Sequence, residues 1–250
     1  MLKKSPSNVS IRISETSVTH NLVDVHSYSV LDVPVLLVGG LVEKSDSLEV
    51  IFSLKELFSR DGTAVSYFTS SDLSLLFGMH SYNFIFNNDM LTENEKILML
   101  NQIARDIIRS ERSELLIVEA PDAVMKYSDI NPNGFGIKTY MASLALNPQL
   151  FVCCIPYNLI SQGFVEKISQ DIEKKYGFAI SAVNISNALA DYLSIMQEES
   201  VGNVHTDPDY MHRFIEEHTL QSSVPLYNVV SDGAVKLYSH IWSLLKQERP

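Results

Sequence analysis

A continuous apolar run, Val33–Val38, ends in two consecutive glycines, Gly39-Gly40. A few residues later comes a segment whose apolar side chains recur at helical spacing: Leu48, Ile51, Phe52, Leu54, Leu57 and Phe58. A run without polar alternation suits a strand buried on both faces, and such a strand needs helices above and below a parallel sheet. Asp61-Gly62 supplies the glycine stop expected at a helix end. The β-branched and aromatic stretch Thr63–Phe68 then reads as a second strand.

The rhythm continues. A short helical piece is expected over Ser71–Phe77. Thr92-Glu-Asn-Glu95 has the S/T-x-x-E form of a capping box and opens a long helix to about Arg112. Leu115–Val118 is a buried strand ending at Glu119 and Pro121. Phe135–Leu146, Ser161–Tyr176, Asn187–Glu198, Thr206–His218 and a segment opened by Asp232 read as helices. Gln149–Ile155, Phe178–Asn184 and Val224–Val229 read as strands. Strands separated by crossover-length helices predict an α/β fold in three layers, a mostly parallel sheet with helices on both faces. The expected organisation is an irregular or short-strand segment over residues 1–32 and a single α/β domain over 33–250.

Composition narrows the function classes. Nineteen basic against thirty acidic residues give a net charge of −11, and the basic pairs are Lys3-Lys4 and Lys174-Lys175. This argues against nucleic acid or an anionic membrane as a partner. No apolar run approaches the ~20 residues of a membrane-spanning helix, and the N-terminus lacks a secretory apolar core. The two cysteines, Cys153 and Cys154, are adjacent in an apolar run, so on a strand they point to opposite faces and cannot chelate one metal. They read as core residues of a protein in the reducing cytoplasm.

The junction between the Val33–Val38 run and the helix that follows it is where a phosphate-binding loop, G-x-x-x-x-G-K-[ST], would sit. Aligned on Lys44-Ser45, the motif puts Val38 and Glu43 where its two glycines belong, with Gly39 and Gly40 displaced. A carboxylate at Glu43 would repel phosphate at short range. Asp46 and Glu49 fall in the first helical turn, where they are expected to satisfy the helix dipole themselves. Glu119 ends the next core strand, where an acid can hold magnesium or orient water. His205, His212 and His218 flank Asp207 and Asp209, but the histidine spacing does not suit zinc, and a solvated helix face is the expectation. The Asn131-Pro-Asn-Gly134-Phe-Gly136 loop is turn chemistry. No metal site and no catalytic residue is assigned.

At fold level, Leu115–Pro121, Ala179–Asn184 and Val224-Pro225-Leu-Tyr resemble the dethiobiotin-synthetase-like members of the P-loop class, with a degenerate phosphate loop. That resemblance implies a P-loop-NTPase-like fold. It puts Glu119 at the acid position and Asn184 beside the nucleotide base, with Gly39, Gly40, Lys44 and Ser45 as the remaining cofactor-binding candidates and nucleotide with magnesium as the candidate cofactor. A second set of blocks resembles accessory proteins of peptide maturation systems in clostridial-type natural-product clusters. These blocks are Val38–Lys44, Lys55–Gly62, Leu76–Ser81, Thr92–Asn101, Asn133–Ile137, Tyr176–Phe178 and Val183–Asn187. It implies a precursor peptide or a peptide-modifying enzyme as partner. Three readings remain: an accessory protein with weak or no nucleotide hydrolysis, an active ATP- or GTP-binding enzyme, and a small-molecule-binding regulatory module.

Overall fold

A computed structural model describes residues 28–43, 45–125, 135–187, 206–219, 222–231 and 233–248. Lys44, the N-terminal segment before Tyr28, most of the Asn131–Gly136 loop, the expected helix after Asn187, His205 and Asp232 lie outside the described residues.

Seven strands form one all-parallel sheet: β1 (Val35–Gly40), β2 (Val65–Thr69), β3 (His80–Ser81), β4 (Leu115–Glu119), β5 (Leu150–Pro156), β6 (Ala182–Ser186) and β7 (Leu226–Tyr227). Their order is β3-β2-β4-β1-β5-β6-β7. Among the described residues the helices are α1 (Ser47–Asp61), α2 (Asn83–Phe86), α3 (Glu93–Glu111), α4 (Ile137–Leu146), α5 (Phe164–Tyr176), α6 (Pro208–Thr219) and α7 (Gly233–Glu248), with 3₁₀ turns at Asp72–Phe77 and Tyr157–Leu159. The three-layer architecture is the one the apolar runs demand. Both outer strands are two residues long, which leaves little open edge for another chain to pair with.

Alternation along each strand divides the core in two. Leu37, Val118, Phe151 and Cys153 face α3, α4, α5 and α6. Leu36, Val38, Ile117, Val152 and Cys154 face α1 and α7. The adjacent cysteines therefore belong to opposite layers; both are fully buried, and burial pushes both thiols far above their usual range.

Connections set the position of the site. β1 leaves through α1 on the second face, whereas its two neighbours in the sheet, β4 and β5, leave through α4 and α5 on the first. Loops departing to opposite faces part at the carboxyl end of β1, and this is where a parallel sheet opens a crevice.

Two expectations about elements need correction. β6 does not run Phe178–Asn184 but begins at Ala182. Gly177 closes α5 in the left-handed region, and residues 178–181 then pack back on it: the Phe178 ring stacks on Tyr176, and the Ile180 amide donates to Ser169 Oγ at 3.0 Å. The later start moves the carboxyl end of β6 from Asn184 to Ser186. In addition, β3 and α2 occupy a stretch that carries no strand or helix pattern in the sequence; at two and four residues they are too short to show a period.

Candidate functional site

The crevice at the end of β1 holds a cavity of about 140 Å³ bordered by Gly40, Glu43, Ser47, Ser70, Glu119 and Asp122. Its floor is made by close backbone approach. A methyl group on Gly39 would meet Ala120 Cβ at 2.6 Å, and one on Gly40 would meet the Val42 carbonyl oxygen at 2.4 Å. Only glycine fits either position. The Val124 amide donates to the Gly40 carbonyl at 3.1 Å and the Met125 amide to Leu41 at 3.2 Å, so the loops after β4 and β1 close on each other.

Glu119 is 5% exposed, and both its oxygens are engaged. Ser47 Oγ donates to Oε1 at 3.1 Å, while the Ser70 amide and hydroxyl donate to Oε2 at 2.9 and 2.7 Å. The Tyr82 hydroxyl donates to the Glu119 carbonyl. Burial, then the Glu119 charge, hold that phenol well above its ordinary value. Asp122 is committed elsewhere: it accepts the Lys138 and Thr139 amides at 3.1 and 2.8 Å and so caps the start of α4 from the β4 side.

The loop between β1 and α1 corrects the sequence alignment. β1 ends at Gly40 and α1 begins at Ser47. Counting from Gly40 as the first motif glycine, Ser45 falls where the second glycine belongs, Asp46 where the lysine belongs and Ser47 where the serine or threonine belongs. Geometry supports this register. Ser47 faces the strand-terminal acid, whereas Ser45 is 1% exposed and turns its hydroxyl back to the Val42 carbonyl at 2.7 Å. Aligning on the Lys44-Ser45 pair had displaced the motif by two residues.

Asp46 departs further from expectation. It sits in the left-handed region at φ 61° and makes no side-chain bond to the start of its own helix. Its Oδ2 instead accepts Ser186 Oγ at 2.8 Å and the Asn187 amide at 2.9 Å, both at the end of β6. The acid expected to neutralise the α1 dipole is thus a buried tie across the crevice.

Asn184 is not at the rim. It lies mid-strand opposite Cys154, fully buried, with Oδ1 accepting the Val229 amide at 3.0 Å and its side chain against the Cys154 thiol. Asn187 is the asparagine at the carboxyl end, and its Oδ1 takes a bond from Asn228. Of the residues proposed from sequence, Gly40, Ser45 and Glu119 border the cavity, Gly39 lies under it, and Asn184, two strands from Gly40 on the same row, does not line it. Ser47, Ser70 and Tyr82 were not singled out by the sequence, and Asp46 was given a different role. Only Ser47 carried a signal, through its spacing from Gly40. In α6, His218 stacks on Phe214 at 3.9 Å and bonds the Phe214 carbonyl through Nδ1. Among the described residues no group of three or more His, Cys, Asp or Glu side chains could hold a metal ion, and no helix is long and apolar enough to cross a membrane.

No protein-family model and no curated protein matches the chain. Among solved structures, a DUF1611 family protein from Anabaena variabilis superposes with a TM-score of 0.60 at 11% identity, over 87% of this chain and 62% of that one. The chain thus spans about 62% of that neighbour's length, and the likeness is one of fold. A GTPase from Pyrococcus abyssi in apo form matches at 0.46 and 13% identity, over 84% of this chain and 96% of that one. A nucleotide-binding protein from Archaeoglobus fulgidus in complex with ADP matches at 0.42 and 10%, over 86% and 88%. Both scores lie below 0.5.

Proposed function

We propose that the chain is an accessory protein of a peptide maturation system, built on a P-loop-like α/β scaffold that does not turn over nucleotide. The observation that carries the second half of this reading is Asp46. A carboxylate stands where a phosphate-binding loop places its lysine, and it is held by Ser186 and Asn187. A triphosphate in the crevice would meet Glu43, Glu119 and Asp122 along the wall. Like charges about 4 Å apart near a protein surface repel by roughly 4 kcal/mol. The cavity is also smaller than the roughly 300 Å³ at which ligand pockets begin. Magnesium at Glu119 would displace the Ser47 and Ser70 bonds that now satisfy it. The peptide-maturation half rests on the sequence blocks from Val38 to Asn187.

Isothermal titration with magnesium-ATP and magnesium-GTP, with Ser47→Ala, at the motif's serine position beside Glu119, as control, tests the nucleotide half. The expected result is no binding at millimolar nucleotide. Sub-millimolar binding that disappears in Ser47→Ala would replace this reading with the nucleotide-enzyme one. The accessory role is tested separately, by reading the genes that neighbour this one. A peptide-modifying enzyme and a short precursor among them are expected, and the absence of both rejects it.

A further inference from the structure

Helix α4 carries apolar residues on every side. Met141, Ala142, Ala145 and Leu146 belong to the core. Its outward line is Ile137, Tyr140 and Leu144, at i, i+3 and i+7, and these are 59%, 43% and 46% exposed. Lys138 is the one charged residue of the helix. The outward stripe of a surface helix is ordinarily polar, and a helix that is apolar all round belongs under a cover.

The chain's own N-terminal side arrives at this helix. Asn101 of α3, 1% exposed, accepts the Ser29 amide on Oδ1 at 3.3 Å. Its Nδ2 donates to the Ser29 carbonyl at 2.9 Å and to the Ala145 carbonyl of α4 at 2.8 Å. One buried side chain thus pins the Ser29 backbone to the turn of α4 that carries Leu144. Residues 1–27 precede this clamp, and Leu22-Val23-Asp24-Val25 stand four to seven residues ahead of Ser29. The ridge from Leu144 to Ile137 is about 10 Å long at a helical rise of 1.5 Å per residue. An extended chain covers roughly 3.3 Å per residue, so this stretch reaches all of it. A segment tethered so closely acts at an effective concentration in the millimolar range, which favours it over a second copy or a separate partner. We propose that Leu22–Val25 packs along the Ile137–Tyr140–Leu144 ridge and covers α4 with the chain's own N-terminal arm. The ridge starts beside Lys138, whose amide binds Asp122 at the crevice, so the arm runs toward the crevice rim. Neither the nucleotide titration nor the accessory role bears on this contact.

Photocrosslinking on the full chain tests this, with benzoylphenylalanine in place of the exposed Tyr140. Irradiation of the dilute protein should join that position to Leu22–Val25 of the same chain, as mapped by mass spectrometry. A crosslink to another stretch, a crosslinked dimer, or no crosslink overturns the proposal. Melting temperatures give an independent reading. Leu144→Ser should lower the melting temperature by about 2–4 °C in the parent chain. In a chain already carrying Leu22→Ser/Val23→Ser/Val25→Ser the same change should cost less than about half as much, because the two sets of residues share one contact. Equal shifts in the two backgrounds overturn the proposal as well.

Discussion

Two helices in this molecule start from an oxygen-bearing side chain at the N-cap position, and they use it in opposite ways. At α3, Thr92 is extended and its hydroxyl accepts the Glu95 amide at 3.3 Å, while the Glu95 carboxylate accepts the Thr92 amide and hydroxyl, each at 2.8 Å. Every partner lies within three residues, and the helix start is self-contained. At α1, Asp46 is left-handed and its carboxylate bonds Ser186 and the Asn187 amide, some 140 residues away. One end completes a helix, and the other fastens a loop to a distant strand. The shape of the β1–α1 crevice therefore depends on β6, whereas the start of α3 depends on nothing beyond its own first turn.

The widest gap between the two helix starts should come from Gly40→Ala. The added methyl meets the Val42 carbonyl at 2.4 Å and Ser45 Cβ at 3.2 Å, so backbone must move, and the crevice with it. A loss of about 2–3 kcal/mol in urea unfolding is expected. A variant within about 0.5 kcal/mol of the parent would show that the loop relaxes freely, and that its tie to β6 does not fix its shape.

Asp46→Ala comes next. It removes the Asp46 carboxylate from the Ser186 hydroxyl and the Asn187 amide in a buried setting and puts alanine at φ 61°. About 2 kcal/mol should be lost. Asp46→Asn keeps an oxygen acceptor and tolerates the left-handed region, so it should cost less than about 1 kcal/mol. Equal losses for the two would mean that the charge itself, not the acceptor, holds the loop to β6.

The same contrast explains what the sequence could disclose. The capping box at Thr92 was legible because its physics is local: four consecutive residues contain the whole device. The apolar runs of β1, β4 and β5 were legible for the same reason, since burial on both faces leaves no polar position in the run. The phosphate-loop register was not. Lys44-Ser45 matches the motif by residue identity, but the end of β1 at Gly40 and the start of α1 at Ser47 decide which residues face Glu119. The strand-end position expected for Asn184 was not legible either, because its place on β6 depends on how residues 178–181 pack against α5. Ser70 and Tyr82 reach Glu119 from segments 49 and 37 residues away, and no spacing encodes such a meeting.

The smallest effect belongs to α3 and is the sharpest check on its independence. Thr92→Ala should lower the melting temperature by about 2–4 °C near neutral pH and leave the crevice variants' losses additive with its own. Its pH dependence has a definite sign. The Thr92 amide, then its hydroxyl, hold the Glu95 carboxyl below its ordinary value of 4.5. A carboxylate whose folded pKa is depressed contributes stability that is fully present above the ordinary value and is lost as pH falls through the lowered one. The gap between parent and Thr92→Ala should therefore narrow as pH drops from about 6 to about 3, since the variant has already lost the hydroxyl part of that interaction. A gap that stays constant across this range would mean that Glu95 is no part of the cap's contribution, and α3 would lose its claim to a self-contained start.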